Sequence, residues 1–204
     1  MKKLSNLMNL SGKTVFITGG AGYLGTSMSH ALAELGANIV IGSRDGNKCK
    51  ELAKTLENEY GIKAMGIEVN ILDVSSIAST LKILIDKFGT LDILINNAGV
   101  LDKGLNAIDQ IDYDDLNRVI DINQKGTMYC MSEALKVMKN GASIVNISSV
   151  AGQYGAGGAV YVSTKAAIIG VTKHAAMRFA KEKIRCNVIC PGSITTDMAA
   201  GLTP

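Results

Sequence analysis

Short β-branched segments alternate with longer segments of helical periodicity along the chain, and this alternation constrains the fold more than any other feature. The predicted strands are Thr14–Thr18, Asn38–Ile41, Ala64–Val69, Ile93–Ile95, Ser143–Ile147 and Arg185–Ile189. The predicted helices lie between them, at 24–35, 46–59, 75–88, 112–139 and 159–182. Strict alternation of this kind is typical of an α/β fold, a doubly wound parallel sheet with helices on both faces. Such sheets bind ligands at the carboxyl ends of their strands.

The size and charge of the chain limit the number of domains and the class of binding partner. The 204 residues, 47% of them apolar, suit one domain spanning 1–204. The 21 basic and 18 acidic residues leave a net charge of +3 and form no block of like charge. No run of about 18 apolar residues is present. We therefore expect a small-molecule partner, with neither nucleic acid nor a membrane as partner.

The four cysteines, at 49, 130, 186 and 190, lie far apart in a chain that is long enough to build its own core. A disulfide framework is unnecessary, so the expected setting is reduced and cytoplasmic. Cys186 and Cys190 are four apart, but they fall in an apolar run that is typical of a strand, without a histidine or a second cysteine pair nearby. We therefore expect no metal site.

A glycine-rich turn follows the first predicted strand. In Thr18-Gly19-Gly20-Ala21-Gly22-Tyr23-Leu24-Gly25, the residues Gly20, Gly22 and Gly25 satisfy Gly-x-Gly-x-x-Gly with a strand before and a helix after. Glycine lets the backbone turn sharply and approach a pyrophosphate, while free N–H groups at the helix start face the anion. The pattern predicts a dinucleotide-binding Rossmann domain.

The end of the second strand bears on which dinucleotide is bound. An acidic residue there binds the ribose 2′-hydroxyl of NAD, whereas a basic residue accommodates the 2′-phosphate of NADP. Ser43 stands where the acid is usual, and Arg44 follows it. NADP(H) is therefore the preferred cofactor, and NAD(H) stays possible because Asp45 would face the ribose after a small shift of register.

Polar motifs follow the later strands as well. They are Asn96-Asn97-Ala98-Gly99, Asn146-Ile147-Ser148-Ser149 and Pro191-Gly192-Ser193-Ile194-Thr195-Thr196. Tyr161 and Lys165 are four apart at the start of a predicted helix, so both side chains project from one face. An ammonium beside a phenol favours the phenolate and lowers the phenol pKa, as proton transfer with an alcohol requires.

With these motifs in this order, the chain resembles the short-chain dehydrogenases/reductases over essentially its whole length. The resemblance implies that Tyr161 is the catalytic acid/base and that Lys165 holds the nicotinamide ribose and lowers the tyrosine pKa. It implies that a serine at the end of strand five orients the substrate carbonyl, and that Asn123 anchors a water relaying protons to Lys165.

The same resemblance implies cofactor contacts at every strand end. They are Gly19, Gly22, Tyr23, Leu24 and Gly25 at the turn, Ser43 and Arg44 after strand two, Asn70 and Ile71 at the adenine, Asn97, Ala98 and Gly99 at the adenine ribose, Tyr161 and Lys165 at the nicotinamide ribose, and Pro191, Gly192, Ile194 and Thr196 near the carboxamide.

The chain departs from the family pattern in three places. Tyr23 replaces a usual glycine, and Gly19, Gly22 and Gly25 match the spacing of the family's sugar-nucleotide-modifying branch. Ser149 fits the serine motif but stands twelve before Tyr161, whereas Ser148 stands at the usual thirteen; we assign Ser149. The sequence stops at Pro204, where members normally continue through another helix and a last strand, so we expect a C-terminal truncation.

The expected function is NAD(P)(H)-dependent hydride transfer between the nicotinamide and a carbonyl or secondary alcohol substrate. The ammonium and hydroxyl groups supply the electrostatics, so this chemistry needs no metal. Two alternatives stay open, a sugar-nucleotide epimerase or dehydratase and a non-catalytic cofactor-binding regulator. Sugar acids, polyols, ketoacyl thioesters and steroids all remain candidate substrates.

Two of the predicted helices carry apolar residues on more than one face. They are the segments around Val119–Met138 and Ala166–Ala180. A helix that is apolar nearly all round is buried on both sides. We therefore expect a homodimer or homotetramer packed through the helices at 112–139 and 159–182, the alternative being that loops of the same chain cover them.

Overall fold

The computed structural model describes residues 8–195, and its centre is a six-stranded parallel sheet. The strands are β1 (Thr14–Thr18), β2 (Asn38–Ser43), β3 (Ala64–Glu68), β4 (Ile93–Asn96), β5 (Ser143–Ile147) and β6 (Arg185–Ile189). Their order across the sheet is β3-β2-β1-β4-β5-β6, and every neighbouring pair is parallel. The chain reverses its direction of winding between β1 and β4, which opens a crevice at their carboxyl ends.

Helices cover both faces of this sheet. They are α1 (Tyr23–Glu34), α2 (Gly46–Tyr60), α3 (Val74–Phe88), α4 (Tyr113–Val119), α5 (Gly126–Leu135), α6 (Ala151–Tyr154) and α7 (Ala159–Arg178). Two 3-10 turns, Lys103–Leu105 and Ile108–Gln110, lie between β4 and α4. The predicted α/β fold with helices on both faces is confirmed.

Apolar side chains alternate between the two faces along the strands. Val15 and Ile17 of β1 belong to the cluster under α1 and α2, whereas Phe16 between them belongs to the cluster under α3, α5 and α7. All three side chains are fully buried. Because neither face of the central strand meets water, β1 reads as a continuous apolar run.

Three predicted strands have the observed bounds, and the other three differ by one or two residues at their ends. The helix prediction is wrong in two places. The predicted helix 112–139 is three segments, because a π-helical turn (Ile120–Lys125) separates α4 from α5. The predicted helix 159–182 ends at Arg178, and the short helix α6 breaks the strict alternation of six strands and five helices.

Apolar residues beyond the helix ends explain why these two helices were predicted too long. Met138 is buried in the core although it follows the end of α5, and Phe179 packs against the same core just after α7. After each of these helices the backbone turns through a residue with positive φ, Gly141 after α5 and Lys183 after α7. The apolar periodicity therefore continues where the helical backbone does not.

Within residues 8–195 the structure contains no helix with both the length and the apolar character needed to cross a membrane.

Candidate active site

The glycine turn after β1 is shaped by contacts that leave no room for side chains. Gly19 has φ +61, and a Cβ there would lie 2.8 Å from the Cα of Ala98. A Cβ on Gly25 would overlap the carbonyl oxygen of Gly19 and lie 2.6 Å from the Cα of Gly20. Gly22 is more open, since its Cβ would meet only the Gly19 oxygen, at 3.3 Å. Gly19 and Gly25 are therefore required for the shape of the turn, whereas Gly22 leaves open space beside its own Cα.

Asn97 ties this turn to the end of β4. Its side-chain amide donates to the carbonyl oxygens of Thr18 at 3.2 Å and Gly19 at 3.0 Å, and its backbone N–H donates to the Thr18 hydroxyl at 3.2 Å. The backbone N–H of Ala98 donates to the same hydroxyl at 3.3 Å. The turn and the Asn-Asn-Ala-Gly segment are thus one hydrogen-bonded unit.

Helix α1 begins at this turn with its N-terminal groups uncapped. Its N-cap is Gly22, no side chain accepts from its first N–H groups, and its first turn has no acidic residue. By contrast, Asp45, Asp73 and Asp112 cap α2, α3 and α4 through their carboxylates. The start of α1 therefore offers N–H donors and the positive end of a helix dipole to an anion.

Tyr23 and Leu24 occupy the first positions of this helix. The Tyr23 side chain is 60% exposed, so it lies outside the turn and does not pack into it. Tyr23, which replaces a glycine of the family pattern, therefore does not fill the glycine turn with its side chain.

At the end of β2, the side chains of Ser43 and Asp45 form hydrogen bonds with backbone groups of the following residues. The Ser43 hydroxyl donates to the Asp45 carbonyl at 3.1 Å, and the Asp45 carboxylate accepts from the Lys48 N–H at 3.0 Å. Arg44 is exposed, and no ion pair involves it within the described part of the chain. Its guanidinium is the group at this strand end that remains available for a ligand.

After β3, the predicted adenine contacts lie in a tight turn. The Asn70 side chain accepts from the Leu72 N–H at 3.1 Å, and the Asn70 N–H donates to Ser76 at 3.1 Å. Ile71 packs against Gly126, where a Cβ would lie 2.6 Å from the Ile71 Cδ1. Ile71 therefore presents only part of its side chain to the crevice.

The two serines at the end of β5 point in different directions. The Ser148 hydroxyl is buried and donates to the Lys165 carbonyl at 2.7 Å. The Ser149 hydroxyl accepts from the Ala151 N–H at 3.1 Å and also interacts with the Tyr161 phenol, lowering its pKa. The structure thus brings Ser149, and not Ser148, to the tyrosine.

Lys165 is almost completely buried one helical turn after Tyr161. Its ammonium donates to the Ile147 carbonyl at 2.9 Å and lies 5.5 Å from the centre of the Tyr161 ring. An ammonium has three N–H groups, so two further donors remain in the crevice. Burial lowers the pKa of Lys165 to about 8.

Asn123 meets Lys165 at Gly99. A Cβ on Gly99 would lie 3.3 Å from the Asn123 Oδ1 and 3.4 Å from the Lys165 Nζ. The fully buried Asn123 side chain accepts from the Val100 N–H at 2.8 Å and donates to the Val100 carbonyl at 2.9 Å. Asn123 lies on the π-helical turn, a backbone irregularity that is frequent at functional sites.

That Lys165 lowers the pKa of Tyr161 toward neutrality stays a prediction. Burial raises the pKa of Tyr161 above its ordinary value, the Ser149 side chain lowers it in part, and the charge of Asp102 raises it again. Desolvation is the largest of these effects, so the pKa lies above its ordinary value and Tyr161 is a protonated phenol at neutral pH.

The segment after β6 is hydrogen-bonded to the loop that follows β5. The Pro191 carbonyl accepts from the Val150 N–H at 3.0 Å, which ties it to the serine loop. Gly192 has no neighbour that a Cβ would touch, and Ile194 is 38% exposed. The predicted contact Thr196 lies outside the described residues.

Sequence reasoning missed a buried carboxylate in the loop after β4. Asp102 is 6% exposed, and neither of its carboxylate oxygens has a hydrogen-bond partner within the described residues. The signal was present, because a single acidic residue follows the apolar pair Val100-Leu101 directly after the Asn-Asn-Ala-Gly segment.

The buried lysine makes folding stability depend on pH in a testable way. Its folded-state pKa of about 8 lies below the unfolded value of 10.5, so the unfolded chain binds more protons between these limits. Stability from this group therefore rises with pH. We expect the free energy of unfolding of the wild type, relative to Lys165→Met, to increase by about 2 kcal/mol between about pH 7 and about pH 9.5.

Urea unfolding of both proteins across this range measures the difference. Burial raises the pKa of Cys130 to about 12 and that of Cys186 to about 11, which changes stability in the opposite direction. Both proteins retain these thiols, so their effect cancels in the comparison. A pH-independent difference would contradict a lowered lysine pKa.

Comparison with known proteins gives consistent matches. A protein-family model described as short chain dehydrogenase matches residues 13–204. A short-chain dehydrogenase/reductase aba4 from Botryotinia fuckeliana (strain B05.10) is 38% identical over 189 residues, which cover 91% of this chain and 73% of the relative. The 3-oxoacyl-(acyl-carrier-protein) reductase FabG of Aquifex aeolicus (strain VF5) is 35% identical over 200 residues, covering 96% and 79%.

Solved structures agree in fold. The crystal structure of a dehydrogenase/reductase from Sinorhizobium meliloti 1021 superposes with a TM-score of 0.90 at 26% identity. The match covers 97% of this chain and 79% of that one.

Proposed function

The chain belongs to the short-chain dehydrogenase/reductase family, and we propose that it transfers hydride between the nicotinamide of NAD(P)(H) and a carbonyl or secondary alcohol carbon, with Tyr161 as acid/base. Membership makes it an NAD(P)-dependent oxidoreductase that acts on CH–OH or carbonyl groups. The observation that carries the proposal is the convergence of Ser149, Tyr161, Lys165 and Asn123 beside the glycine turn.

The residues present fit a dinucleotide. The glycine turn excludes side chains from the space in front of α1, whose uncapped N–H groups suit a pyrophosphate. Lys165 keeps two N–H donors beside Gly99, which suits ribose hydroxyls. When bound, the nicotinamide ring supplies or accepts the hydride.

The chain's own residues handle the proton and the orientation. Ser149 binds the substrate oxygen and orients it toward Tyr161. Because the pKa of Tyr161 is raised, its phenol is protonated and donates its proton to the carbonyl oxygen as that oxygen gains negative charge. The Lys165 ammonium stabilises the resulting phenolate and is the source of the proton that restores the phenol. Asn123, which holds the Val100 backbone, anchors the water that reprotonates Lys165.

Titration with NADPH and with NADH, followed by a screen of ketones and secondary alcohols, tests this function. We expect reduced-nicotinamide fluorescence to shift on binding and absorbance to change with at least one carbonyl compound. Cofactor binding with no turnover of any carbonyl or alcohol compound would instead support the non-catalytic alternative.

NADP(H) is the proposed preferred cofactor, and Arg44→Ala tests this. The exposed guanidinium is free of ion pairs within residues 8–195, while Asp45 is engaged as a helix cap. Loss of a charge-assisted hydrogen bond predicts an increase of about 10- to 100-fold in the Kd for NADPH, with the Kd for NADH changed by less than about 3-fold.

Lys50→Ala is the matched control, because it removes an exposed cation from α2, the helix that follows Arg44. Fluorescence titration gives both constants for each protein. An equal weakening of NADPH and NADH in Arg44→Ala would show that the guanidinium does not recognise the 2′-phosphate.

The proposal includes a homodimer or homotetramer packed through the segments 112–139 and 159–182, with 1–204 acting as one NAD(P)-binding domain. Exposed apolar side chains on these segments support it: Tyr113 is 77% exposed, Met128 43% and Met177 77%. Burial of such side chains against a second copy removes apolar area from water.

A reducing, cytoplasmic setting is also part of the proposal. All four cysteines are free thiols, and three of them, Cys49, Cys130 and Cys186, are buried in the apolar core. Free buried thiols are typical of proteins that fold without disulfides.

A further inference from the structure

Two side chains of α4 hold the backbone on either side of Asp102, in the loop after β4. The Arg118 guanidinium donates to the Leu101 carbonyl at 2.7 Å. The Asp115 carboxylate accepts from the Lys103 N–H at 2.6 Å. Arg118 and Asp115 also form an ion pair of 2.7 Å, and Asp115 is buried. The position of Asp102 is therefore set by its neighbours and not by its own side chain.

Helix α7, which carries Tyr161, begins without a capping side chain of its own. Its N-cap is Gly158, and its first turn contains no acidic residue. The Ala159 N–H donates to the Asn106 carbonyl at 3.0 Å. The N–H groups of Val160 and Tyr161 have no acceptor among the described residues. A capping side chain accepts from N–H groups at these second and third positions, so two donors are open to a cap.

The Asp102 carboxylate lies where the missing capping group would stand. A Cβ on Gly158 would overlap the Asp102 Oδ2 and lie 2.5 Å from its Cγ and Oδ1. The oxygen of a capping serine is bonded to the Cβ, and those of a capping aspartate lie one bond further away, so the carboxylate occupies the same space. Asp102 is 6% exposed, and neither of its oxygens has a hydrogen-bond partner within residues 8–195. Unpaired acceptors therefore lie beside the unpaired donors of the helix.

We propose that Asp102 is a positioning residue that caps α7 from the loop after β4, in place of the side chain that Gly158 lacks, and so fixes the turn that carries Tyr161. The inference rests on the proposed function, because it concerns how the acid/base of that site is held. Tyr161 is the third residue of α7, so a cap that accepts from the first-turn N–H groups acts on its own backbone. The Asp102 carboxylate acts through the helix and needs no contact with the substrate.

Charge favours the same arrangement. A carboxylate at a helix N-terminus meets the positive end of the helix dipole, which offsets part of the cost of burying it. The charge of Asp102 also raises the pKa of Tyr161, because a nearby negative charge disfavours the phenolate. The other polar groups that face the phenol in the described part of the chain are the Ser149 side chain and the Lys165 ammonium, which lies 5.5 Å from the ring centre. Cys190, after β6, interacts with that ammonium.

Amide hydrogen exchange, resolved by residue, tests the cap directly. Asp102→Ala removes the acceptor, so exchange at Val160 and Tyr161 should become faster by about 5- to 30-fold. Asp102→Asn keeps an oxygen that caps a helix about as well as a carboxylate, so the same exchange should change by less than about 3-fold. Equal exchange in the wild type and in Asp102→Ala would overturn the cap.

Moving the carboxylate from one segment to the other gives a sharper test. Gly158 has φ −67 and ψ 143, a backbone that aspartate adopts at an N-cap. Gly158→Asp alone sets a Cβ and a second charge against Asp102, so exchange at Tyr161 should become at least about 5-fold faster. In Asp102→Ala/Gly158→Asp the clash is absent and the carboxylate returns to the same turn, so exchange and kcat should lie within about 3-fold of the wild type. A double variant no better than Asp102→Ala would overturn the proposal.

Kinetics and the pKa of Tyr161 distinguish positioning from contact with the substrate. Asp102→Ala should lower kcat by about 10-fold and change KM by less than about 3-fold, because it displaces the phenol and leaves the substrate contacts in place. Removal of the charge should lower the pKa of Tyr161 in both Asp102→Ala and Asp102→Asn, which increases the phenolate fraction at about pH 10 in the ¹³C spectrum of labelled tyrosine. A loss carried mainly by KM, or an unchanged pKa in both variants, would overturn the assignment.

Asp109→Ala is the matched control, because it removes an exposed carboxylate from the same connection between β4 and α4. Exchange at the first turn of α7 and kcat should both stay within about 2-fold of the wild type. An effect as large as that of Asp102→Ala would ascribe the loss to net charge and overturn the cap. The exchange measurements need no turnover. If no carbonyl or alcohol compound reacts, the proposed function fails, and exchange still decides whether Asp102 caps α7.

Discussion

Tyr161→Phe should reduce kcat for carbonyl reduction by at least about 10³-fold while leaving the Kd for NADPH within about 3-fold of the wild-type value. The substitution removes only the hydroxyl, which is the group with the transferable proton, and general acid catalysis contributes up to about 10⁴-fold. The ring remains beside Lys165, whose ammonium lies 5.5 Å from its centre. Steady-state kinetics and fluorescence titration measure the two effects.

Ser148→Ala is the control that removes a hydroxyl near the site without removing one that meets the Tyr161 phenol. Ser148 precedes Ser149 in sequence, but its hydroxyl donates to the Lys165 carbonyl and does not meet the phenol. We expect this variant to retain far more activity than Ser149→Ala. A Tyr161→Phe protein that reduces the same ketone within 10-fold of the wild-type rate would show that the phenol is not the acid.

Gly25→Ala should lower the free energy of unfolding by about 3 kcal/mol and abolish cofactor binding. Its Cβ would overlap the Gly19 carbonyl oxygen and approach the Cα of Gly20, and both are backbone atoms of the turn. Because neither has a flexible end that can move aside, the turn itself must be displaced. Chemical denaturation measures the loss of stability, and fluorescence titration measures the loss of binding.

Gly170→Ala provides the control within a second helix. A Cβ at Gly170 would meet no atom within 4 Å, so the change adds helix propensity without a clash. We expect the free energy of unfolding to increase by about 0.5–1 kcal/mol. If the two substitutions had the same effect, the close approach of Gly25 to the turn would not determine stability.

The sheet could be predicted from the sequence because its strands are buried on both faces. A run such as Val15-Phe16-Ile17 has no alternative position in a domain of this size, and its bounds follow directly. The glycine turn could also be predicted from the sequence, because Gly-x-Gly-x-x-Gly between a strand and a helix has few other uses.

Features that depend on backbone hydrogen bonding, burial or side-chain direction could not be predicted from the sequence. Nothing in the composition of Ile120–Lys125 separates a π-helical turn from an ordinary helix, since both have the same apolar pattern. The raised pKa of Tyr161 is also a property of burial, which four-residue spacing to Lys165 does not reveal. The choice between Ser148 and Ser149 required the directions of their hydroxyl groups.

The backbone around Asp102 is held by residues outside the loop that follows β4. Arg118 donates to the carbonyl of residue 101 and Asp115 accepts from the N–H of residue 103, so the backbone does not depend on the side chain between them. The isosteric change Asp102→Asn should therefore remove a buried charge and leave the path of the loop unchanged. The course of this loop and the charge that it carries can be varied separately.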